Sequence, residues 1–112
     1  MIMQETKDYI NTAFGVELQN AIMQYGDKYA STHEAYAILK EEIEEAKVEF
    51  ELIENNRVYC WNLIKKSDPN DGRQYNHLQS LKEHTTNAIA ELLQVLAVVQ
   101  KYKNTLVVSD DV

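Results

Sequence analysis

The near-absence of helix-breaking residues is the feature of this sequence that most restricts its fold. Only three glycines, Gly15, Gly26 and Gly72, and one proline, Pro69, occur in 112 residues. Such scarcity favours long helices over strands and tight turns, because glycine and proline supply many of the turn conformations. The one strong cluster of turn-forming residues is SDPNDG at residues 67–72, and it predicts a turn there.

Apolar periodicity predicts an all-α chain with three helices, at about residues 4–29, 32–66 and 73–104, followed by a short C-terminal tail. The third segment carries mostly apolar residues in alternating steps of three and four: Leu78, Leu81, Thr85, Ala88, Leu92, Val95, Val99, Tyr102 and Leu106. That spacing places them on one face of a helix. Ser31 is followed three residues later by Glu34, a capping-box pattern that predicts the start of the second helix.

The predicted helix lengths also bear on assembly. A helix over residues 32–66 would be about 50 Å long, whereas a compact domain of this size has a radius of gyration of about 13 Å. The third segment adds a second apolar stripe, Ile89, Leu93 and Leu96, and a helix that is apolar on two faces is buried on both. We therefore expect one domain, residues 1–112, whose helical bundle is completed in a homodimer or homotetramer.

Charge and composition exclude several classes of function. Acidic residues outnumber basic residues by 18 to 11, for a net charge of -7, so the chain lacks the basic surface of a nucleic-acid-binding protein. No apolar run reaches the roughly 18 residues of a membrane span. Cys60 is the only cysteine, which excludes an internal disulfide and is typical of a reducing compartment. We expect a cytoplasmic protein with no nucleic-acid and no membrane partner.

Carboxylates flank the predicted core on two helices. In AIAELLQVLAVV, residues 88–99, ten of twelve residues are apolar and Glu91 interrupts them. In the second helix, Glu42 and Glu45 lie beside core positions within an acid-rich run. Such faces can simply border water, since acidic side chains are seldom fully buried. If the two helices are antiparallel, however, these acids meet, and a cluster of oxygen ligands suits Mg²⁺ or Mn²⁺.

Two stretches carry a family resemblance: HEAYAILKEEIEEA, from residue 33, and AIAELLQVLAVVQK, from residue 88. They resemble the MazG-like all-α nucleoside triphosphate pyrophosphohydrolases, especially the small phage-type members. That superfamily pairs an E-E-x-x-E motif on one long helix with an E-x-x-D motif on the next. Glu41, Glu42 and Glu45 match the first motif, and Glu91 matches the first acid of the second. Gln94 stands where the family has aspartate.

The resemblance, which covers about residues 31–103, implies an activity and a set of functional residues. Members hydrolyse a nucleoside triphosphate to a monophosphate and pyrophosphate, with Mg²⁺ or Mn²⁺ as the cofactor. The metal ligands that it implies are Glu42, Glu45, Glu91 and Gln94. It makes Glu41 a catalytic residue, as a further ligand or by orienting water. Lys101 would contact phosphate, although a lysine at a helix C-terminus is also favoured by the helix dipole.

The alternative is a catalytically degenerate helical-bundle protein that serves interaction or assembly. Gln94 favours this alternative, because an amide oxygen binds a metal weakly and supplies no negative charge. The intact E-E-x-x-E motif favours the enzyme.

Overall fold

The computed structural model describes residues 1–66 and 71–106, and that part of the chain contains three helices and no strand. Helix α1 spans Gln4–Tyr25, α2 spans Thr32–Lys65 and α3 spans Asp71–Thr105. The prediction of an all-α fold with three long helices, as in a helical bundle, is confirmed. Residues 67–70 of the predicted turn and 107–112 of the predicted tail lie outside the described residues.

Helix α1 ends at Tyr25, about four residues before the predicted end. Gly26 follows with a φ of 82°, and its N–H donates to the carbonyl of Ile22 at 2.8 Å. Side chains of L-residues rarely tolerate this left-handed conformation, whereas glycine adopts it without a steric clash at Cβ. The apolar stripe continues through Tyr25 to Tyr29 and therefore gave no sign of this end.

Helix α2 begins where the capping box predicts. Ser31 Oγ accepts a hydrogen bond from the N–H of Glu34 at 3.1 Å. Glu34 Oε2 accepts one from the N–H of Ala30, also at 3.1 Å. In the usual capping box the glutamate side chain accepts from the N–H of the N-cap residue, which here is Ser31. Glu34 accepts from the N–H of Ala30 instead. Together the two bonds satisfy N–H groups that have no partner inside the helix.

Helix α3 begins at Asp71, two residues earlier than predicted. Asp71 and Gly72, which the sequence places in the turn, belong to the first turn of this helix. A carboxylate in this position is favoured by the positive end of the helix dipole. Within residues 1–66 and 71–106, no helix combines the length and the apolar character needed to cross a bilayer.

The chain forms two compact units. The first unit contains Met1–Ile43 and the described residues from Leu92 onward, and the second unit contains Glu44–Glu91. The expectation of a single domain over the whole chain stays a prediction.

In the first unit, the segment after α1 is held to the end of α3. Thr105 Oγ1 accepts a hydrogen bond from the N–H of Tyr29 at 2.8 Å and donates one to the carbonyl of Lys101 at 2.8 Å. Ala35 and Ala97 are buried here. Tyr29 and Lys101 are thereby placed close to each other, which matters for the cavity described below.

In the second unit, the buried apolar residues are Ala46, Leu63 and Ala88. Asn56 is also buried, and its amide group is fully engaged across the unit. It donates to Ser80 Oγ at 3.3 Å, and its oxygen lies 3.2 Å from Nδ1 of His77. Buried polar groups are costly unless paired in this way, so these bonds help to fix the register of α2 against α3 within the unit.

Large apolar side chains remain exposed on all three helices. Trp61 and Tyr36 are 52% and 61% exposed. Leu78, on the predicted α3 stripe, is 54% exposed, and α1 has no buried residue. These residues are therefore not part of a core within one chain.

Candidate functional site

Two of the predicted metal ligands, Glu45 and Glu91, lie against each other in the second unit. The pKa of Glu91 is raised above its ordinary value of 4.5, first by burial, then by the charge of Glu45 and a hydrogen bond with that residue, and then by the charge of Glu49. A cation beside this pair would offset the same repulsion and would favour the ionised form of Glu91.

A second feature of Glu91 is a buried carboxylate oxygen without a hydrogen bond in the described part of the chain. Its Oε2 is buried and has no hydrogen-bond partner within residues 1–66 and 71–106. Leaving a buried acceptor unpaired typically costs about 1–3 kcal/mol. This oxygen fits the role of a metal ligand on grounds that are independent of the sequence motif.

Glu42 lies one turn before Glu45 on α2, and this spacing places the two side chains on one face of the helix. One carboxylate oxygen of Glu45 lies within 4.8 Å of one carboxylate oxygen of Glu91. Glu45 is exposed, whereas Glu91 is partly buried. The structure thus brings together, within the second unit, two of the four residues that the resemblance assigns to metal binding.

The structure places the predicted catalytic residue, Glu41, elsewhere. It is exposed on α2, and it is not among the carboxylates that act on Glu91. It also does not line the cavity described next. Its role stays a prediction from the motif alone.

The two remaining predicted site residues, Gln94 and Lys101, line a cavity of about 480 Å³ that lies wholly within the first unit. All three helices contribute aliphatic side chains to its wall, and Tyr25 and Tyr29 add aromatic surface. Glu42 also lines this cavity. Gln94 is exposed, whereas Lys101 is partly buried. A pocket of this size and mixed lining is typical of small-molecule sites.

Tyr29 reports on the electrostatics of the cavity. Lys101 Nζ lies 4.3 Å from the centroid of the Tyr29 ring, a favourable cation–π distance. Even so, the pKa of the Tyr29 hydroxyl is raised above 10.0, first by burial and then by the charges of Glu42 and Glu34. Both carboxylates disfavour the tyrosinate, so a further negative charge near this hydroxyl would also be repelled.

Sequence analysis missed the pairing of Glu49 with His84. In the second unit, His84 Nδ1 lies 2.8 Å from Glu49 Oε2, and both side chains are largely buried. The sequence held one sign of a polar site here, because His84 lies seven residues, or about two helical turns, before Glu91 and therefore on the same face of α3. Identifying Glu49 as its partner required the register between the helices.

Comparison of the chain with protein-family models, with curated proteins and with solved structures finds no match. The MazG-like resemblance therefore rests on the motif residues and stays a prediction. The class that the fold defines is an all-α protein with three long helices. The acidic group and the cavity are the features from which a function can be argued.

Proposed function

We propose that this protein is a metal-dependent nucleoside triphosphate pyrophosphohydrolase that uses Mg²⁺ or Mn²⁺. The observation that carries the proposal is the state of Glu91, whose buried Oε2 has no partner in the described chain and whose pKa is raised by burial and by the charge of Glu45. A divalent cation would remove both the unpaired acceptor and the repulsion between the carboxylates. The motif resemblance supplies the reaction class.

The proposal divides the site residues into metal ligands, a residue that orients water and a residue that contacts phosphate. Mg²⁺, when bound, neutralises polyphosphate charge and stabilises the charge that develops at phosphorus. Glu42, Glu45 and Glu91 would hold it through carboxylate oxygens, which are the ligands that Mg²⁺ prefers. Glu41, exposed and adjacent to Glu42, would orient the attacking water. Lys101 would offset phosphate charge.

The test is a pyrophosphate-release screen over the common ribonucleoside and deoxyribonucleoside triphosphates with Mg²⁺. We expect release with the wild-type chain and a loss of at least 100-fold in Glu45→Gln, since the neutral amide is a poor ligand for a hard cation. Glu51→Gln is a matched control, because Glu51 is exposed on the same helix and outside the acidic group. No release from any nucleotide, together with no rise in melting temperature on addition of Mg²⁺, would contradict the proposal.

We also propose that the chain forms a homodimer or homotetramer. Helix α2 has 34 residues and is therefore about 51 Å long. Apolar side chains such as Trp61, Tyr36 and Leu78 are half-exposed, and a second copy would bury them. Light scattering at micromolar concentration and moderate salt should report a multimer. A monomer under those conditions would contradict this prediction.

A second candidate function, an interaction or assembly protein without catalysis, is favoured by the same exposed apolar surface and by Gln94. It predicts a stable multimer with no pyrophosphate release and no cation-dependent change in melting temperature. The enzyme proposal predicts a multimer, pyrophosphate release and a cation-dependent rise in melting temperature. The cation response therefore separates the two candidates even if the correct nucleotide is missing from the screen.

A further inference from the structure

We infer that the cavity of the first unit holds the nucleoside part of the substrate. In this inference, which rests on the proposed function, the Tyr29 ring stacks on the base. The Gln94 amide hydrogen-bonds to the nucleoside rather than binding the metal. Gln94 is thereby a residue that determines specificity.

The size and lining of the cavity suit a nucleoside. Its volume is about 480 Å³, and its wall is mostly aliphatic with a few polar groups. Pockets of about 300–1,000 Å³ with this balance hold small organic ligands, whose polar edges meet the few polar side chains. A base has an apolar face and a polar edge, and Tyr25 and Tyr29 offer aromatic surface of the kind on which bases stack.

The charges of the cavity favour the uncharged part of a nucleotide over its phosphates. Glu17, Glu34 and Glu42 line the cavity, against Lys28 and Lys101. Burial, and after it the charges of Glu42 and Glu34, raise the pKa of the Tyr29 hydroxyl, although Lys101 lies over the ring. A triphosphate without a cation would meet the same repulsion. The base and sugar carry no charge to be repelled.

Gln94 has the chemistry of a nucleoside contact. Its side chain is exposed and lines the cavity, and its amide can both donate and accept hydrogen bonds. Base edges present both kinds of group. A hard cation, in contrast, prefers carboxylates, and Glu45 and Glu91 already lie together in the second unit without Gln94. The replacement of the family's aspartate by glutamine is then a change of role rather than a loss.

The test is an NMR titration of the ¹⁵N-labelled full chain in EDTA with adenosine, guanosine, cytidine and uridine. We expect at least one nucleoside to shift the side-chain amide signals of Gln94, which are identified by their absence from the Gln94→Leu spectrum. Gln94→Leu should weaken the binding of that nucleoside about fivefold. Tyr29→Leu should weaken it about tenfold or more. The matched controls are Gln79→Leu and Tyr9→Leu, both exposed positions outside the cavity.

A parallel titration with tripolyphosphate and Mg²⁺ should be unchanged in Gln94→Leu. The inference is overturned if no nucleoside binds, if binding ignores Gln94→Leu and Tyr29→Leu, or if Gln94→Leu weakens Mg²⁺ binding to the free chain. Should Tyr29→Leu fail to fold, the exposed Gln94→Leu decides the matter. Nucleoside binding that depends on Gln94, without pyrophosphate release, would sink the hydrolase proposal but keep this site. Pyrophosphate release with an unchanged KM in Gln94→Leu would keep the hydrolase proposal but overturn the assignment of Gln94 to nucleoside binding.

Discussion

Millimolar Mg²⁺ or Mn²⁺ should raise the melting temperature of the wild-type chain, and Glu45→Gln should abolish that rise. A ligand that binds only the native state stabilises it, by about 2.7 kcal/mol at a concentration of 100 times Kd. For a domain of this size, each kcal/mol corresponds to a shift of about 4–8 °C. The expected rise is therefore about 10 °C or more, and it can be measured by thermal melts monitored by circular dichroism.

The same melts in EDTA provide an internal check. Glu45 is exposed, so its replacement leaves no cavity in the core, and the neutral amide removes repulsion from Glu42 and Glu91. Glu45→Gln should therefore melt at the wild-type temperature or above it without metal. Glu51→Gln, on the same helix, should keep the full cation response. An unchanged cation response in Glu45→Gln would show that the metal site has been assigned to the wrong residues.

Glu91→Gln should stabilise the metal-free chain, and the stabilisation should grow as the pH rises from about 4.5. The pKa of Glu91 is raised in the folded chain, so the folded state binds this proton more tightly than the unfolded state. Stability is then lost as the pH rises through the raised pKa. Glutamine resembles the protonated acid and does not titrate, so the variant should escape this loss.

The measurement is the free energy of unfolding by urea at several pH values in EDTA, from about pH 4 upward. Near pH 4 both forms of the chain carry an uncharged side chain at residue 91 and should differ little. With Mg²⁺ at neutral pH the sign should reverse, because a ligand has been lost. Glu83→Gln, at an exposed position of α3, should show neither effect. A stability difference that does not vary with pH would contradict the assignment.

Local features of the fold were predictable from the sequence because they depend on neighbouring residues. The scarcity of glycine and proline and the apolar periodicity led to three helices within a few residues of their observed bounds. The Ser31–Glu34 cap is a contact between residues three apart. Gly26 shows the limit of such reasoning, since nothing in the pattern around it distinguished a left-handed residue from one inside a helix.

The candidate site was predictable in part. Glu42 and Glu45 share a face by helix geometry alone, and the apolar stretch around Glu91 indicated that this carboxylate is unusual. The contact between Glu45 and Glu91, and the unpaired oxygen of Glu91, depend on which turns of α2 and α3 meet in the second unit. Helical periodicity specifies a face but not the register of its partner.

The sequence by itself determined the helical class, the start of α2 and the residues that share each helical face, because these follow from contacts within one or two turns. Only the tertiary structure decided that His84 pairs with Glu49, that Gln94 lines a cavity, and that Trp61 is half-exposed. Each of these facts is a matter of burial or of pairing between residues far apart in the chain. Such contacts depend on how whole helices pack, and no local pattern encodes them.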